Sequence, residues 1–249
     1  MGSKKELVYS DETLDNLILG DFKLIQAVQG YRFSLDAVLL AHFPVLGGVR
    51  NVVDFGTGSG VIPILLATRS PSITVTGLEL QESMVDRANR TINYNGLGEK
   101  IKIINGDINN VNDIFPANYT DLVVSNPPFW KKGEGKISQN EEEAIARHEI
   151  SLDLPALIAA GAYVLRQGGN MCIIHRADRL SEIINIYEKN KLHLKRLRTI
   201  HTFCDREAKL VLVEGQKNGG GSFTILPPLI IYKKPGEYCD ELQQLYQVD

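Results

Sequence analysis

Three features of the sequence predict an α/β fold built on a doubly wound, seven-stranded, mostly parallel sheet. Between residues 51 and 175 short β-type runs alternate with helical stretches, the signature of parallel strands covered by helices on both faces. The first run is apolar and then meets a carboxylate and a cluster of glycines, as a buried parallel strand does where a ligand approaches its carboxyl edge. After residue 192 two β-type runs follow each other across a turn too short for a crossover, so they must pair antiparallel and close the sheet as a hairpin.

The elements follow in order. A helical pattern over residues 35–43 precedes a strand at 52–55 and a helix at 61–68. A strand at 73–78 leads to a helix at 82–94, whose Met84, Ala88 and Ile92 recur on one apolar face. Strands at 101–105 and 121–125 come next, then a polar stretch at 130–149 without apolar periodicity, expected as a surface excursion beside the fourth strand. A helix at 154–165, a strand at 171–175 and a helix at 179–189 precede the terminal hairpin of 194–200 with 209–213. A flexible turn at 219–222 and Pro227-Pro228 then precede a last apolar run at 229–232.

The 249 residues are 43% hydrophobic and 23% charged, which excludes a disordered or fibrous chain and permits a large core. With no long linker and no internal repeat, 1–249 reads as one domain, with a core from 51 to 249 behind an N-terminal segment of 1–50. The 27 Lys+Arg against 30 Asp+Glu leave a net charge of -3, which argues against indiscriminate nucleic-acid binding yet allows a local basic face. No apolar run approaches the ~20 residues needed to cross a bilayer, and residues 1–10 are polar, so neither membrane insertion nor secretion is expected. Met1-Gly2 invites N-myristoylation, but Glu6 stands where that motif needs Ser or Thr. Cys172, Cys204 and Cys239 are odd in number and form no CxxC pair, so free thiols in a cytoplasmic setting and no metal site are expected. The five histidines have neither metal nor triad spacing; His148 is expected to order a loop or a substrate, and the other four to be structural.

Asp54-Phe55-Gly56-Thr57-Gly58-Ser59-Gly60 closes the first strand and opens a helix, bringing bare backbone close to a ligand. A dinucleotide fingerprint starting at Gly56 would need a small residue at position 61, where Val61 stands. The loop resembles instead the Asp-x-Gly-x-Gly-x-Gly pattern of class I S-adenosyl-L-methionine-dependent methyltransferases, which are Rossmann-like, and the resemblance runs from about residue 30 to residue 215. It implies S-adenosyl-L-methionine as cofactor, held by Asp54, Gly56, Gly58 and Gly60. Glu79, 25 positions after Asp54, would accept from the ribose hydroxyls, and Asp107 from the adenine amine. Each acid alone would pass as a turn or capping carboxylate. Together at one sheet edge they suit a cationic sulfonium and would repel a phosphate, which disfavours NAD.

Asn126-Pro127-Pro128-Phe129 directly follows the fourth strand. Two prolines stop the sheet and lock an extended path, so the Asn126 side-chain oxygen and the Pro127 carbonyl converge as two fixed acceptors. Acceptors that bind both hydrogens of an exocyclic amine help localise its lone pair towards a methyl sulfonium, which is electrostatic preorganisation without a covalent intermediate. Phe129 and Trp130 offer flat faces for a planar base or amide. The tetrapeptide resembles the fourth motif of methyltransferases acting on amino or amide nitrogen. It implies Asn126, Pro127 and Phe129 as catalytic residues, with Asn126 also touching the cofactor.

That motif is shared by adenine-N6 and guanine-N2 enzymes of nucleic acids, rRNA included, and by glutamine methyltransferases of release factors. Gly30-Tyr31-Arg32-Phe33-Ser34 and the following residues to Ala41 resemble the cofactor-covering segment of the bacterial family that methylates adenine N6 in valine tRNA beside the anticodon. Residues 126–130 and Ala146-Arg147-His148-Glu149 are similar to that family as well. The resemblance implies a tRNA partner and adds Arg32, Phe33 and Ser34 to the cofactor contacts. The glutamine branch usually carries Tyr where Phe129 stands and has a helical N-terminal domain, for which only about fifty residues are present here. Phe129, Trp130, Lys131, Lys132 and Lys136 are the candidate substrate contacts, with Lys191, Lys195, Arg196 and Arg198 as further candidate phosphate ligands. The glutamates at 141–143 would oppose that binding. A monomer is favoured. A non-catalytic cofactor sensor or scaffold would not need the Asn126 corner.

Overall fold

The computed structural model describes residues 7–17, 22–29, 34–129 and 153–246. Its centre is a sheet of nine strands in the order β5-β4-β3-β6-β7-β9-β8-β10, with β11 also pairing on β8. Strands β3 (Asn51–Phe55), β4 (Thr74–Glu79), β5 (Ile101–Asn105), β6 (Thr120–Ser125) and β7 (Leu165–Arg176) run parallel. Between them lie α2 (Val61–Arg69), α3 (Glu82–Tyr94), the short α4 (Val111–Ile114) and α5 (Leu154–Val164). Helix α6 (Leu180–Lys189) then leads into β8 (Leu192–His201), which pairs antiparallel with β9 (Ala208–Lys217), itself antiparallel to β7. The seven expected strands are all present; the two-residue β10 (Thr224–Ile225) and β11 (Leu229–Ile230) extend the outer edge.

Alternation along the buried strands separates two cores. Val52, Leu122, Val124, Cys172 and Ile174 face α1 (Leu35–His42), α2 and α3; Val53, Phe55, Val123, Met171 and Ile173 face α4, α5 and α6. Helix α3 shows the one-faced pattern expected, with Met84, Ala88 and Ile92 buried. The strand expected at 171–175 begins earlier, directly off α5 at Leu165, because Gly168 takes a left-handed φ of 73° and a register shift against β6 absorbs the extra residues.

The two ends of the chain carry structure the sequence pattern did not announce. An N-terminal hairpin of β1 (Glu12–Asn16) and β2 (Lys23–Ala27) packs on α3. It is fastened by Glu12, whose oxygens accept from Arg87 Nε at 3.1 Å and from Arg90 Nη2 and Nη1 at 2.6 and 2.7 Å. The Arg90 guanidinium also lies 4.1 Å over the Tyr9 ring. At the other end β12 (Tyr232–Lys234), β13 (Glu237–Tyr238) and α7 (Asp240–Tyr246) place Leu242 and Tyr246 in the first core. Among the described residues no helix is long and apolar enough to cross a membrane.

Candidate active site

The carboxyl ends of β3, β4, β5 and β6 open into one cleft, lined by the glycine loop, Glu79, Asp107 and Asn126 to Pro128. Sheet pairing sets this convergence. Phe55 and Ser125 are register partners, and Ser125 Oγ donates to the Phe55 carbonyl at 2.9 Å, so Gly56 and Asn126 leave the sheet side by side.

Gly56, Gly58 and Gly60 have φ of 71°, 55° and 86°, a left-handed path that a side chain would strain. The N–H groups of Gly56 and Thr57 donate to the Leu78 carbonyl at 2.9 and 3.2 Å, tying the loop to the end of β4. Gly58 N–H donates to Glu79 Oε2 at 2.9 Å, and Gln81 N–H to Glu79 Oε1 at 3.0 Å. Glu79 is thus a buried carboxylate whose two oxygens are each fixed by a backbone donor. Gly77 on β4 makes room for this arrangement, because a Cβ there would meet the Thr57 side chain at 2.7 Å.

Asp54 is fully buried, and among the described residues neither of its oxygens nor Thr57 Oγ1 has a hydrogen-bond partner. Burial pushes the Asp54 carboxyl up to about 8; the nearby Thr57 hydroxyl, though not in bonding geometry, offsets a part of this, and the Glu79 charge adds to it. An enclosed acid without a donor is a site that a cationic ligand completes. Asp107 caps the turn after β5, accepting from Asn109 N–H at 2.9 Å, and still lines the cleft. Asn126 is half-buried and Pro127 buried, and both line the cleft beside the loop. Phe129 is half-buried, its ring centroid 5.4 Å from that of His175.

Residues 35–189 match the family model of the methyltransferase small domain. The chain belongs to that family. This methyltransferase uses S-adenosyl-L-methionine as cofactor, and the residues present fit it: a buried carboxylate at Asp54 with no hydrogen-bond partner among the described residues, open backbone at Gly56, and a fixed acceptor at Glu79. It is 29% identical over 234 residues, 90% of each chain, to a protein of Porphyromonas gingivalis named tRNA1(Val) (adenine(37)-N6)-methyltransferase. A protein of the same name from Tolumonas auensis is 25% identical over 88% of this chain and 83% of its own. Among solved structures, a predicted O-methyltransferase from Agrobacterium tumefaciens superposes with a TM-score of 0.67 at 20% identity, covering 85% of this chain and 95% of that one, which shows the fold.

Not every candidate residue joins the cleft: Asp54, Gly60 and Phe129 each adjoin a lining residue in the chain but do not themselves line it. Arg32, Phe33, Trp130, Lys131, Lys132, Lys136 and His148 lie outside the described residues. Ser34 sits in extended conformation just ahead of α1 and does not line the cleft, whereas Ala37, within the first turn, does. Two candidate phosphate ligands are committed elsewhere: Arg196 pairs with Glu214 and donates to the Phe43 carbonyl, and Arg198 holds Glu241 at 2.6 and 2.7 Å. Both close the outer sheet edge against its neighbours, which strand periodicity does not reveal. Lys195 likewise donates to the Gly220 carbonyl. Conversely Leu80, Ile108 and Leu157, which the sequence pattern did not single out, form an apolar wall of the cleft together with Met84, expected only as part of a helix's core face. The one signal was Leu80, an apolar residue directly after the acid that ends β4; it remains 41% exposed.

Proposed function

We propose that this methyltransferase transfers the methyl group of S-adenosyl-L-methionine to the exocyclic N6 of an adenine in tRNA, in the unpaired anticodon loop of valine tRNA, in the cytoplasm. The observation that carries the reading is the seating of the Asn126-Pro127-Pro128 corner in the same cleft as the glycine loop and Glu79. The methyl donor's fixed acceptors and the amine's fixed acceptors therefore adjoin. The names of the two bacterial relatives support the same substrate.

The cofactor supplies an electrophilic methyl group on a sulfonium. Asn126 Oδ1 and the Pro127 carbonyl accept the two N6 hydrogens and hold the amine's lone pair out of conjugation; Phe129 stacks on the base. Once methylated, the amine would carry one proton too many, and the oxygens of Asn126 and Pro127 would hold it until it passes to solvent. The target base must leave its stack to reach this corner, which costs least in an unpaired loop.

The test incubates the protein with radiolabelled S-adenosyl-L-methionine and, separately, total RNA, total protein, valine tRNA, and valine tRNA with its loop annealed to a complementary strand. Label should enter the free tRNA and not the annealed one. Transfer only to protein would replace the reading with amide methylation. Asn126→Ala should keep cofactor affinity while lowering turnover by about 10². A wild-type rate in that variant would remove the amine-binding role.

A further inference from the structure

His175 and Phe129 both lie outside the cleft-lining set, and their rings pack together directly beyond the Asn126-Pro127-Pro128 corner that lines it. His175 stands at the end of β7, two residues beyond Ile173, the register partner of Ser125, and so at the level where β6 has turned into Asn126-Pro127. It shares a sheet face with Met171 and Ile173 and is fully enclosed. The Phe129 and His175 rings meet with centroids 5.4 Å apart at 48°, within the range of favourable aromatic pairs.

The polar edge of His175 is held from behind. Arg176 N–H donates to Nδ1 at 2.8 Å, and Arg179 Nη1 stands 3.5 Å from Nε2. A neutral imidazole has one acceptor nitrogen, so both cannot be hydrogen bonds; the shorter contact assigns the lone pair to Nδ1 and the proton to Nε2. Arg179 is itself clamped by Glu182 at 3.0 and 2.9 Å. Burial first, and the Arg179 charge second, lower the His175 pKa to about 3, while Glu182 and Asp178 offset a part of this. The ring is therefore neutral at any working pH, a flat aromatic surface fixed at one edge rather than a proton carrier.

We propose that His175 is a positioning residue for the methyl-accepting base: by backing Phe129 it fixes the plane on which that base stacks. The inference rests on the reading of Phe129 as the stacking surface. A ring that Phe129 can lean on lowers the entropy lost when the base docks, and the effect should fall on the RNA's KM.

The experiment is a double-mutant cycle on the full chain with valine tRNA. KM, kcat and cofactor affinity are measured with unmodified valine tRNA for Phe129→Ala, His175→Ala and the double variant; in separate binding titrations a tRNA with 2-aminopurine at the target position, which has no N6 amine to methylate, reports stacking by fluorescence. His175→Ala should raise the RNA's KM on the order of two- to tenfold, the scale of one aromatic pair, with cofactor affinity unchanged. That penalty should vanish in the Phe129→Ala background. His175→Phe, which keeps a ring, should restore KM and the stacking signal, and His175→Gln, which keeps a polar edge without a ring, should not; both also guard against a merely unstable Ala variant. Additive penalties, or rescue by Gln and not by Phe, would overturn the proposal while leaving Phe129 in place. An unchanged KM in Phe129→Ala would instead remove the stacking reading, and the proposal with it.

Discussion

Cofactor binding should be coupled to release of one proton from Asp54. The perturbation is pH, with S-adenosylhomocysteine as a stable ligand carrying the same amino-acid moiety. Asp54 is buried, has no hydrogen-bond partner among the described residues and titrates near about 8, so at pH 7 only about a tenth of the free protein carries its anion, and at pH 6 about a hundredth. If the ligand's ammonium pairs with that anion, the apparent affinity is reduced by the same fractions, about 1.4 kcal/mol at pH 7. Affinity should therefore rise nearly tenfold from pH 6 to pH 7. The rise should level off above pH 8, once Asp54 is ionised in the free protein. Calorimetry at pH 6.5 in two buffers of different ionisation enthalpy should count close to one proton released per ligand bound. Asp54→Asn should bind more weakly at pH 8 and show neither the slope nor the proton. A flat affinity between pH 6 and 7.5, with no proton released, would show that Asp54 stays protonated as a donor or was never neutral, and would remove the ammonium pairing.

Glu79→Ala should weaken cofactor binding about tenfold or more, since a hydrogen bond to a charged acceptor contributes about 1.5 to 3 kcal/mol; calorimetry that finds unchanged affinity would place the ribose partner elsewhere. Glu12→Ala removes the buried carboxylate that Arg87 and Arg90 share, while Arg90 keeps Asp86 at 2.8 Å, a loss of about 3 kcal/mol that should lower the thermal midpoint by about 6 to 12 °C. Although burial alone would raise it, hydrogen bonds from Arg90, the Tyr9 amide and Arg87 hold Glu12 down at about 2 against its usual 4.5. Its contribution is therefore complete above pH 4.5 and disappears as the pH falls from there towards 2. An acid-unfolding curve of Glu12→Ala parallel to that of the wild type across that window would contradict the assignment.

The sequence by itself determined the parallel core and the chemistry of its carboxyl edge. Buried parallel strands must be continuously apolar, and helices between them must be one-faced, so β3 to β7 and α3 announce themselves by period alone. The glycines of 56–60, the acids at 54, 79 and 107 and the prolines at 127 and 128 are legible for a related reason: each meets a local constraint of backbone path or charge that no other residue type satisfies. The tertiary structure decided what depends on partners distant in the chain. The β1–β2 hairpin is too short and polar to be recognised until Arg87 and Arg90 meet Glu12 across more than seventy residues. Arg196 and Arg198 look free in sequence and are bound only because the outer strands bring Glu214 and Glu241 to them. His175 has the period of a core residue, and only the pairing of β6 with β7 sets it behind Phe129. The acidity of Asp54 is likewise a property of the assembled cleft, because the burial that raises it exists only when the sheet has closed around it.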